Sequence, residues 1–217
     1  MMLLKKSIRL LFGITILVSS CSVKKLQQDP QTNFTDNQAA LITAKDSLAA
    51  MRVLKINNLS DSILLRKASE PVNLAIEDPL LPIFTKRLYQ TVRDSLSMGV
   101  GIAAPQVGIL KRIIWVQRFD KKGFPFEVYL NPKIVQYSKK TQKCKEGCLS
   151  IPDRTDMLET RSYAILIEYD KMDKTHHYEM IEDFTAVIFQ HEIDHLDGIL
   201  YTDHLEEEIN AADTPSK

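Results

Sequence analysis

Residues 190–198 read Gln190-His191-Glu192-Ile193-Asp194-His195-Leu196-Asp197-Gly198. The pattern predicts a helix on which His191 and His195 lie on one face, one turn apart. Two neutral imidazoles in that arrangement can bind one divalent metal ion. Glu192 lies beside the first histidine, where a carboxylate can accept a proton from a metal-bound water.

The helix that carries this stretch is predicted to run from Asp183, as its N-cap, to Gly198. At about 100° per residue, both of its faces carry apolar side chains, so the helix belongs inside the domain. One face holds Ala186, Phe189, Ile193 and Leu196, and the other holds Phe184, Val187 and Ile188 beside the two histidines. Buried imidazoles and a buried carboxylate need partners, which favours a metal site over a solvated pair of histidines.

The third metal ligand is not found where the common H-E-x-x-H proteases place it. In one group a histidine follows the glycine by three residues, and this chain has Tyr201 there. Another group uses a glutamate further downstream than Glu206–Glu208. The upstream candidates are Cys144, Cys148, His176 and His177.

Three motifs occur in a fixed order along the chain. They are Gly99-x-Gly101-x-Ala103-Ala104-x-Gln106, Glu146-Gly147-Cys148-Leu149-Ser150 and His191-Glu192-x-Asp194-His195. Together they resemble the three motifs of the peptide deformylases, over about Ile63 to Asp203. The resemblance implies removal of the formyl group from the N-terminal formyl-methionine of a peptide or protein, with release of formate.

The resemblance also implies the metal ligands, which are Cys148, His191 and His195. Two imidazoles and one thiolate leave a fourth tetrahedral position for water, as in catalytic metal sites. The family implies Fe²⁺, with zinc (Zn²⁺), nickel (Ni²⁺) or cobalt (Co²⁺) able to occupy the site, since ligand type alone does not choose among them.

The remaining catalytic roles follow from the same resemblance. Glu192 is the general base, and the side chain of Gln106 and the backbone N–H of Leu149 donate hydrogen bonds to the oxyanion. Gly101 allows close approach of the substrate. The alternatives are another H-E-x-x-H metallohydrolase, or a membrane-tethered binding protein with a deformylase fold and no turnover. A dinucleotide site at Gly99–Ala104 is disfavoured, because a helix rather than a strand precedes it.

The net charge limits the possible functions, and the order of the predicted elements limits the fold class. Lys+Arg and Asp+Glu both number 28, so the chain lacks the basic excess of a nucleic-acid-binding protein. Apolar spacing predicts a helix over 78–98 and strands over 112–118, 126–137, 162–169 and 177–181. Strands followed by one long helix predict an α+β fold, with antiparallel sheets packed around a central C-terminal helix.

The first 21 residues have the features of an export signal. A basic start and an apolar run over residues 10–18 precede Ser19, Ser20 and Cys21. A small-residue pair before a cysteine resembles a bacterial lipoprotein signal, in which Cys21 is acylated and anchors the protein to a membrane. A plain secretory signal and an uncleaved N-terminal anchor are the alternatives, and all three predict a location outside the cytosol.

Composition divides the rest of the chain into a polar tether (22–50), a deformylase domain (51–205) and a polar C-terminal tail (206–217). Because deformylases act on chains leaving the ribosome, a second hypothesis is that translation starts at Met51 and gives a cytoplasmic protein. In an oxidising compartment, Cys144 is expected either to be simply buried or to form a disulfide with Cys148 that destroys the metal site.

Overall fold

The computed structural model describes residues 32–94 and 98–213. The predicted signal, with Cys21, lies outside them. The helices are α1 (Asp36–Thr43), α2 (Leu59–Leu65), α3 (Leu80–Arg93), α4 (Asp183–Leu196) and α5 (Tyr201–Asp213). The strands are β1 (Gly101–Ala103), β2 (Ile113–Gln117), β3 (Phe126–Tyr137), β4 (Thr141–Cys148), β5 (Ile151–Ser162), β6 (Ala164–Asp170) and β7 (His176–Glu182), with a 3₁₀ turn at Ala104–Val107.

Five strands form one antiparallel sheet in the order β1-β2-β3-β6-β7, and β4 and β5 form a separate antiparallel hairpin. Helix α4 packs against strands of both. Its apolar residues Ala186, Phe189, Ile193 and Leu196 are buried in one core with strands β2, β3 and β6. The predicted α+β fold around a central C-terminal helix is therefore confirmed, and the named strands of the described part of the chain pair antiparallel.

Helix α4 begins at Asp183 and stops before Gly198, as predicted, but Asp183 is not its N-cap. Gly198 has a φ of +76°, and the N–H groups of Gly198 and Ile199 donate to the carbonyls of His195 and Asp194. This is a Schellman end, which glycine favours because it adopts positive φ without strain. At the other end, Glu182 occupies the N-cap position and no side chain caps the helix.

Helix α3 is shorter than its apolar spacing predicts. It ends at Arg93, and the backbone of Asp94 is extended. The N–H of Gly99, shortly before β1, donates to the Val92 carbonyl near the end of the helix. Leu96, which the pattern assigned to the helix, lies outside the described residues.

Strands β4 and β5 were not predicted. Most of their side chains are exposed or half-buried, as expected of a two-stranded hairpin that packs few apolar groups. Such a hairpin lacks the alternation of apolar and polar residues by which strands are recognised. The hairpin nevertheless carries Cys148 at the end of β4.

Residues 32–50 are not a tether in the structure, so the predicted domain start at Met51 is too late. Phe34 and Ile42 are buried in the core beside α3. The guanidinium of Arg87, only 3% exposed, donates to the carbonyls of Leu41, Ile42 and Ala49. The composition does not indicate that this segment packs against the core, because few of its side chains are buried.

The first part of the predicted polar tail, residues 206–213, is helical. Helix α5 continues to Asp213, and the carboxylate of Glu208 accepts hydrogen bonds from the backbone of Glu159 and Thr160 on β5. Among the described residues, no helix is long and apolar enough to cross a membrane.

Candidate active site

The ends of β4 and α4 bring three ligand groups together. The Sγ of Cys148 and the ring nitrogens of His191 and His195 lie within 4.8 Å of one another. Sγ is 3.2 Å from Nε2 of His195. The other upstream candidates, Cys144, His176 and His177, are not part of the cluster.

The surroundings of the Cys148 thiol favour its thiolate form. Burial raises its pKa, but the two imidazoles outweigh this and hold the pKa well below that of an ordinary thiol. The backbone N–H of Ser150 also points at Sγ, at 3.4 Å. A thiolate with two imidazoles is a donor set that fits a divalent transition-metal ion.

His191 is oriented by a buried carboxylate that had no role assigned from the sequence. Its Nδ1 lies 2.8 Å from Oε2 of Glu146, so Nδ1 carries the proton and Nε2 is left for a metal ion. Burial raises the pKa of Glu146, yet hydrogen bonds from His191 and Arg161 lower it to about 2. Glu146 is therefore a carboxylate whenever the protein is folded near neutral pH.

The carboxylate of Glu146 is held in turn by Arg161. The guanidinium is 4% exposed and donates to both oxygens of Glu146, at 2.7 and 3.0 Å. Its remaining terminal nitrogen donates to Asp194, which also accepts from His204. His204, unassigned in the sequence, thus supports α4 from α5. A lone arginine in a polar strand gives no sequence signal for this position.

Glu192 lies buried over Gly101. One of its carboxylate oxygens, Oε2, has no hydrogen-bond partner among the described residues. Burial raises its pKa to about 7, against the lowering effect of the two histidines. A Cβ added at Gly101 would lie 2.9 Å from the Cδ of Glu192 and closer still to Oε1. The group that needs the glycine here is therefore the carboxylate itself.

Gln106 points its amide nitrogen into the site. Its Oε1 accepts from the backbone N–H of Ala103 at 2.8 Å, which fixes the amide orientation. Its Nε2 is 3.6 Å from the Sγ of Cys148 and 3.3 Å from the hydroxyl of Ser150. A donor so placed is available to an oxyanion that forms beside Cys148. Leu149, the other predicted donor, directly follows Cys148.

Residues 54–56 tie the two donor segments together, a feature that the sequence analysis missed. The N–H of Leu54 donates to the Gln106 carbonyl, and the N–H of Ile56 donates to the Ser150 carbonyl. Between them, the ammonium of Lys55 donates to the Leu149 carbonyl. The segments that carry both predicted donors, Gln106 and Leu149, are therefore held by one short segment.

A cavity of about 630 Å³ opens onto these groups. Its lining includes Gln106, Cys148, His191 and Glu192, together with Gly99–Gly101 and Phe184. The cavity is large enough for several residues of an extended peptide.

The predicted risk of a disulfide between Cys144 and Cys148 is not supported. Both cysteines are free, and Cys144 lies opposite Leu158 within the hairpin. Four residues along a strand separate Cα atoms by roughly 13 Å, and a disulfide needs less than about 7 Å.

Comparison with known proteins identifies relatives of this chain. A family model described as polypeptide deformylase matches residues 53–210. A peptide deformylase from Desulforudis audaxviator is 39% identical over 153 residues, which is 70% of this chain and 94% of that protein. One from Finegoldia magna is 35% identical over 154 residues, 71% of this chain and 89% of that protein.

Solved structures give the same result. A class I type b peptide deformylase from Acinetobacter baumannii, bound to Met-Ala-Ser, has a TM-score of 0.64 and 30% identity, covering 72% of this chain and 98% of that one. The peptide deformylase of Thermotoga maritima has a TM-score of 0.62 and 32% identity, covering 71% of this chain and 97% of that one.

Proposed function

The chain belongs to the peptide deformylase family and removes the formyl group from N-terminal formyl-methionine, and from this premise we propose a catalytic role for each residue of the site. The observation that carries the proposal is the buried carboxylate of Glu192, which lies beside a thiolate and two imidazoles at the floor of a peptide-sized cavity. An intact base of this kind is not needed by a binding protein without turnover.

Cys148, His191 and His195 hold the divalent ion on which the family depends. Fe²⁺ is the proposed ion, with zinc, nickel and cobalt as substitutes that the same ligands accept. When bound, the ion supplies a Lewis acid that polarises the formyl carbonyl and lowers the pKa of water. The Glu146 carboxylate keeps His191 in the tautomer that leaves Nε2 for the ion.

Glu192 moves the proton. Its carboxylate accepts a proton from the attacking water while the new carbon–oxygen bond forms at the formyl carbon. It then delivers that proton to the departing amine nitrogen as the carbon–nitrogen bond breaks, so the products are formate and a free N-terminus. A carboxyl with a pKa of about 7 is suited to both steps, because it gains and loses a proton readily near neutral pH.

Gln106 and Leu149 stabilise the negative oxygen that forms on the formyl carbon. The amide of Gln106 donates from one side and the backbone N–H of Leu149 from the other. Since the Gln106 amide is already fixed by Ala103, little reorganisation is needed when the charge develops. Loss of one such donor typically costs about 10²-fold in rate.

Strand β1 offers the peptide an edge to pair with. It lies at the end of the five-stranded sheet and pairs with β2 alone. An extended substrate that adds to this edge places its formyl end beside Gly101 and Glu192.

A formate-release assay on formyl-Met-Ala-Ser tests the proposal. The protein loaded with Fe²⁺ or Ni²⁺ is expected to release one formate per peptide, and a chelator is expected to abolish release. Release that persisted after the ion had been removed, as verified by elemental analysis, would contradict the proposed roles of Cys148 and the two histidines.

For localisation, we propose an exported lipoprotein anchored to a membrane through an acylated Cys21. The support is the sequence of the first 21 residues, together with the packing of residues 32–50. A product that starts at Met51 would lack Phe34 and Ile42, and its Arg87 would lose the carbonyls of Leu41, Ile42 and Ala49 as acceptors. This disfavours the cytoplasmic alternative.

Palmitate labelling with fractionation distinguishes the exported lipoprotein from a cytoplasmic product that starts at Met51. The full-length protein is expected in the membrane fraction with label, and Cys21→Ala is expected to lose the label. An unlabelled soluble protein with its N-terminus at Met51 would refute the lipoprotein.

A further inference from the structure

Strand β7 is an open edge of the five-stranded sheet. In the part of the chain that the structure describes, it pairs with β6 along all 7 of its residues and with no other strand. The register of this pairing is unbroken, and the strand contains neither proline nor lysine. Bulges, prolines and lysines are features by which edge strands avoid pairing with another chain. Strand β7 lacks all three.

The outward backbone groups of β7 belong to every second residue. At one end of the ladder with β6, the N–H of Lys171 donates to the Thr175 carbonyl. At the other end, the N–H of Asp183 donates to the Tyr163 carbonyl. Because hydrogen-bonded pairs alternate along an antiparallel ladder, the odd-numbered residues of β7 bond to β6. The even-numbered residues direct their N–H and C=O groups away from the sheet, and these are His176, Tyr178, Met180 and Glu182.

The side chains of the same even-numbered residues lie together on one face of the sheet, because side chains alternate along a strand. All of them are exposed. Tyr178 is 62% exposed and Met180 is 56% exposed, although both carry large apolar groups. The edge therefore presents an apolar centre, with a histidine at one end and a glutamate at the other.

The order of these side chains is self-complementary. When two copies of β7 pair antiparallel about a two-fold axis at Glu179, Tyr178 lies opposite Met180 of the second copy. His176 then lies opposite Glu182 of the second copy, and the symmetry repeats both pairs. In this register the outward N–H and C=O groups of the two strands face each other. An axis at Tyr178 or at Met180 would instead place that residue opposite itself and separate His176 from Glu182.

Each opposed pair in this register is favourable. A methionine sulfur packs well against an aromatic ring, and Tyr178 and Met180 bring these groups together twice. The Nδ1 of His176 lies 2.7 Å from the Oδ1 of Asp170, which leaves Nε2 for the carboxylate of Glu182 in the second copy. Opposed side chains of these kinds stabilise a sheet.

The two-fold axis does not bring two free carboxylates together. Glu179 meets its own symmetry copy there, with its side chain on the other face of the sheet. Arg118 donates to both of its oxygens, at 2.7 and 3.1 Å, and the hydroxyl of Tyr169 donates to one of them at 3.0 Å. The guanidinium is 1% exposed, so it neutralises the carboxylate within each copy.

We propose that β7 pairs with β7 of a second copy of this chain, about a two-fold axis at Glu179, and joins the two five-stranded sheets into one. A second copy is the occupant chosen because the side chains of the edge complement themselves in the register that the backbone groups require. The inference goes beyond the proposed function and does not rest on it. Another extended peptide at this edge, or a shared membrane anchor, is distinguished by the tests.

Cysteine cross-linking of the full chain tests the register. The Cα atoms of a hydrogen-bonded antiparallel pair lie about 5.5 Å apart, a separation that a disulfide can bridge. A mixture of Tyr178→Cys and Met180→Cys chains is therefore expected to form a covalent dimer under mild oxidation. Either variant alone is expected to stay at the background set by the wild type, which has cysteines of its own. A mixture at background, or a covalent dimer from one variant alone, would overturn the inference.

Light scattering after size-exclusion chromatography measures the strength of the pairing. The wild-type full chain is expected to form a dimer as its concentration rises to about 100 µM. Met180→Lys places a lysine at the edge and is expected to raise the dissociation constant about 30-fold, equivalent to about 2 kcal/mol, because the change occurs twice in the interface. Met157→Lys is the matched control, since Met157 is a 45% exposed methionine on the hairpin, and it is expected to dimerise like the wild type.

Two results of the scattering experiment would refute the pairing. One is a wild-type monomer at every concentration, as expected if the edge binds only other peptides. The other is a dimer that Met180→Lys does not weaken, as expected if a membrane anchor alone holds two chains together. Formate release by Met180→Lys is expected to match the wild type, so failure of the dimer leaves the proposed function standing.

Discussion

At the residue scale, the site depends on the close fit of one carboxylate and one glycine. Glu192 occupies the volume that any side chain at position 101 would fill. Its Oε2 is buried and has no hydrogen-bond partner among residues 32–94 and 98–213, so this oxygen is available to groups that enter the cavity. Position 101 and position 192 therefore act as one unit, although 91 positions separate them in the chain.

The first prediction concerns the base. Glu192→Ala is expected to retain the metal ion and to lose on the order of 10³-fold in formate release, within the range ascribed to general acid–base catalysis. Elemental analysis and a formyl-Met-Ala-Ser assay measure the two quantities. Glu206→Ala, at an exposed position on α5, is the control, and near wild-type turnover by Glu192→Ala would rule out Glu192 as the base.

The second prediction concerns the glycine. In Gly101→Ala the new methyl group meets the Glu192 carboxylate, so kcat is expected to fall by about 10²-fold, the scale of loss that a displacement of about 1 Å causes. A double-variant cycle with Glu192→Ala tests the reason. If the substitution acts through Glu192, it is expected to have little further effect once that carboxylate is gone.

At the element scale, the loop from Cys148 to Ile151 is held by a segment from the other end of the domain. Residues 54–56 bind the carbonyls of Leu149 and Ser150 on one side and that of Gln106 on the other. Asp61, on α2, accepts from the Lys55 N–H and so fixes this segment in turn. The two proposed oxyanion donors, Gln106 and Leu149, come from different segments, and residues 54–56 are hydrogen-bonded to both segments.

The third prediction follows from that contact. Lys55→Met keeps the length of the side chain but removes the donor to the Leu149 carbonyl. We expect kcat to fall by about tenfold, with KM nearly unchanged, because a donor that acts mainly in the transition state is displaced. Lys55→Arg is expected to recover part of the loss. An equal rise in KM without any loss of kcat would indicate a role in peptide binding instead.

At the scale of the whole molecule, residues 32–50 complete the core. The ring of Phe34 packs on Phe84 with centroids 5.7 Å apart, and Arg87 donates to carbonyls of this segment. Without this segment, the core would lose the Phe34 ring, and the Arg87 guanidinium would lose these carbonyl acceptors. The folded unit is therefore longer at its N-terminus than the region shared with the family model, which begins at residue 53.

The fourth prediction compares two truncations. A chain that begins at residue 32 is expected to melt at the same temperature as the full chain, whereas one that begins at Met51 is expected to melt about 10 °C lower or to be insoluble. The reason is the loss of two buried apolar side chains at about 2 kcal/mol each, plus the loss of carbonyl acceptors by Arg87. Calorimetry or circular dichroism measures the difference, and equal melting temperatures would contradict the role given to residues 32–50.

The fifth prediction concerns acid stability. The pKa of Glu146 is about 2 in the folded protein against 4.5 for the ordinary group, so the folded state favours the carboxylate by about 3 kcal/mol. This stabilisation is complete above pH 4.5 and is lost as the pH falls toward 2. With a chelator present, wild type is expected to lose unfolding free energy across this window more steeply than Glu146→Gln. Parallel curves would refute the assignment.

The sequence alone determined the features that depend only on residues close together in the chain. The spacing of His191, Glu192 and His195, the apolar faces of α4 and the glycine at its end are local properties of a helix, so they are visible in a single chain. The three motifs identified the family, and with it Cys148, Gln106 and Leu149.

Only the tertiary structure decided which distant groups meet. Glu146, Arg161 and Lys55 act through partners far along the chain, and the hairpin that carries Cys148 has too few buried side chains to show a pattern. Residues 32–50 look like a tether because their composition is polar. They belong to the fold because their backbone carbonyls accept hydrogen bonds from the buried Arg87, a contact that side-chain composition does not record.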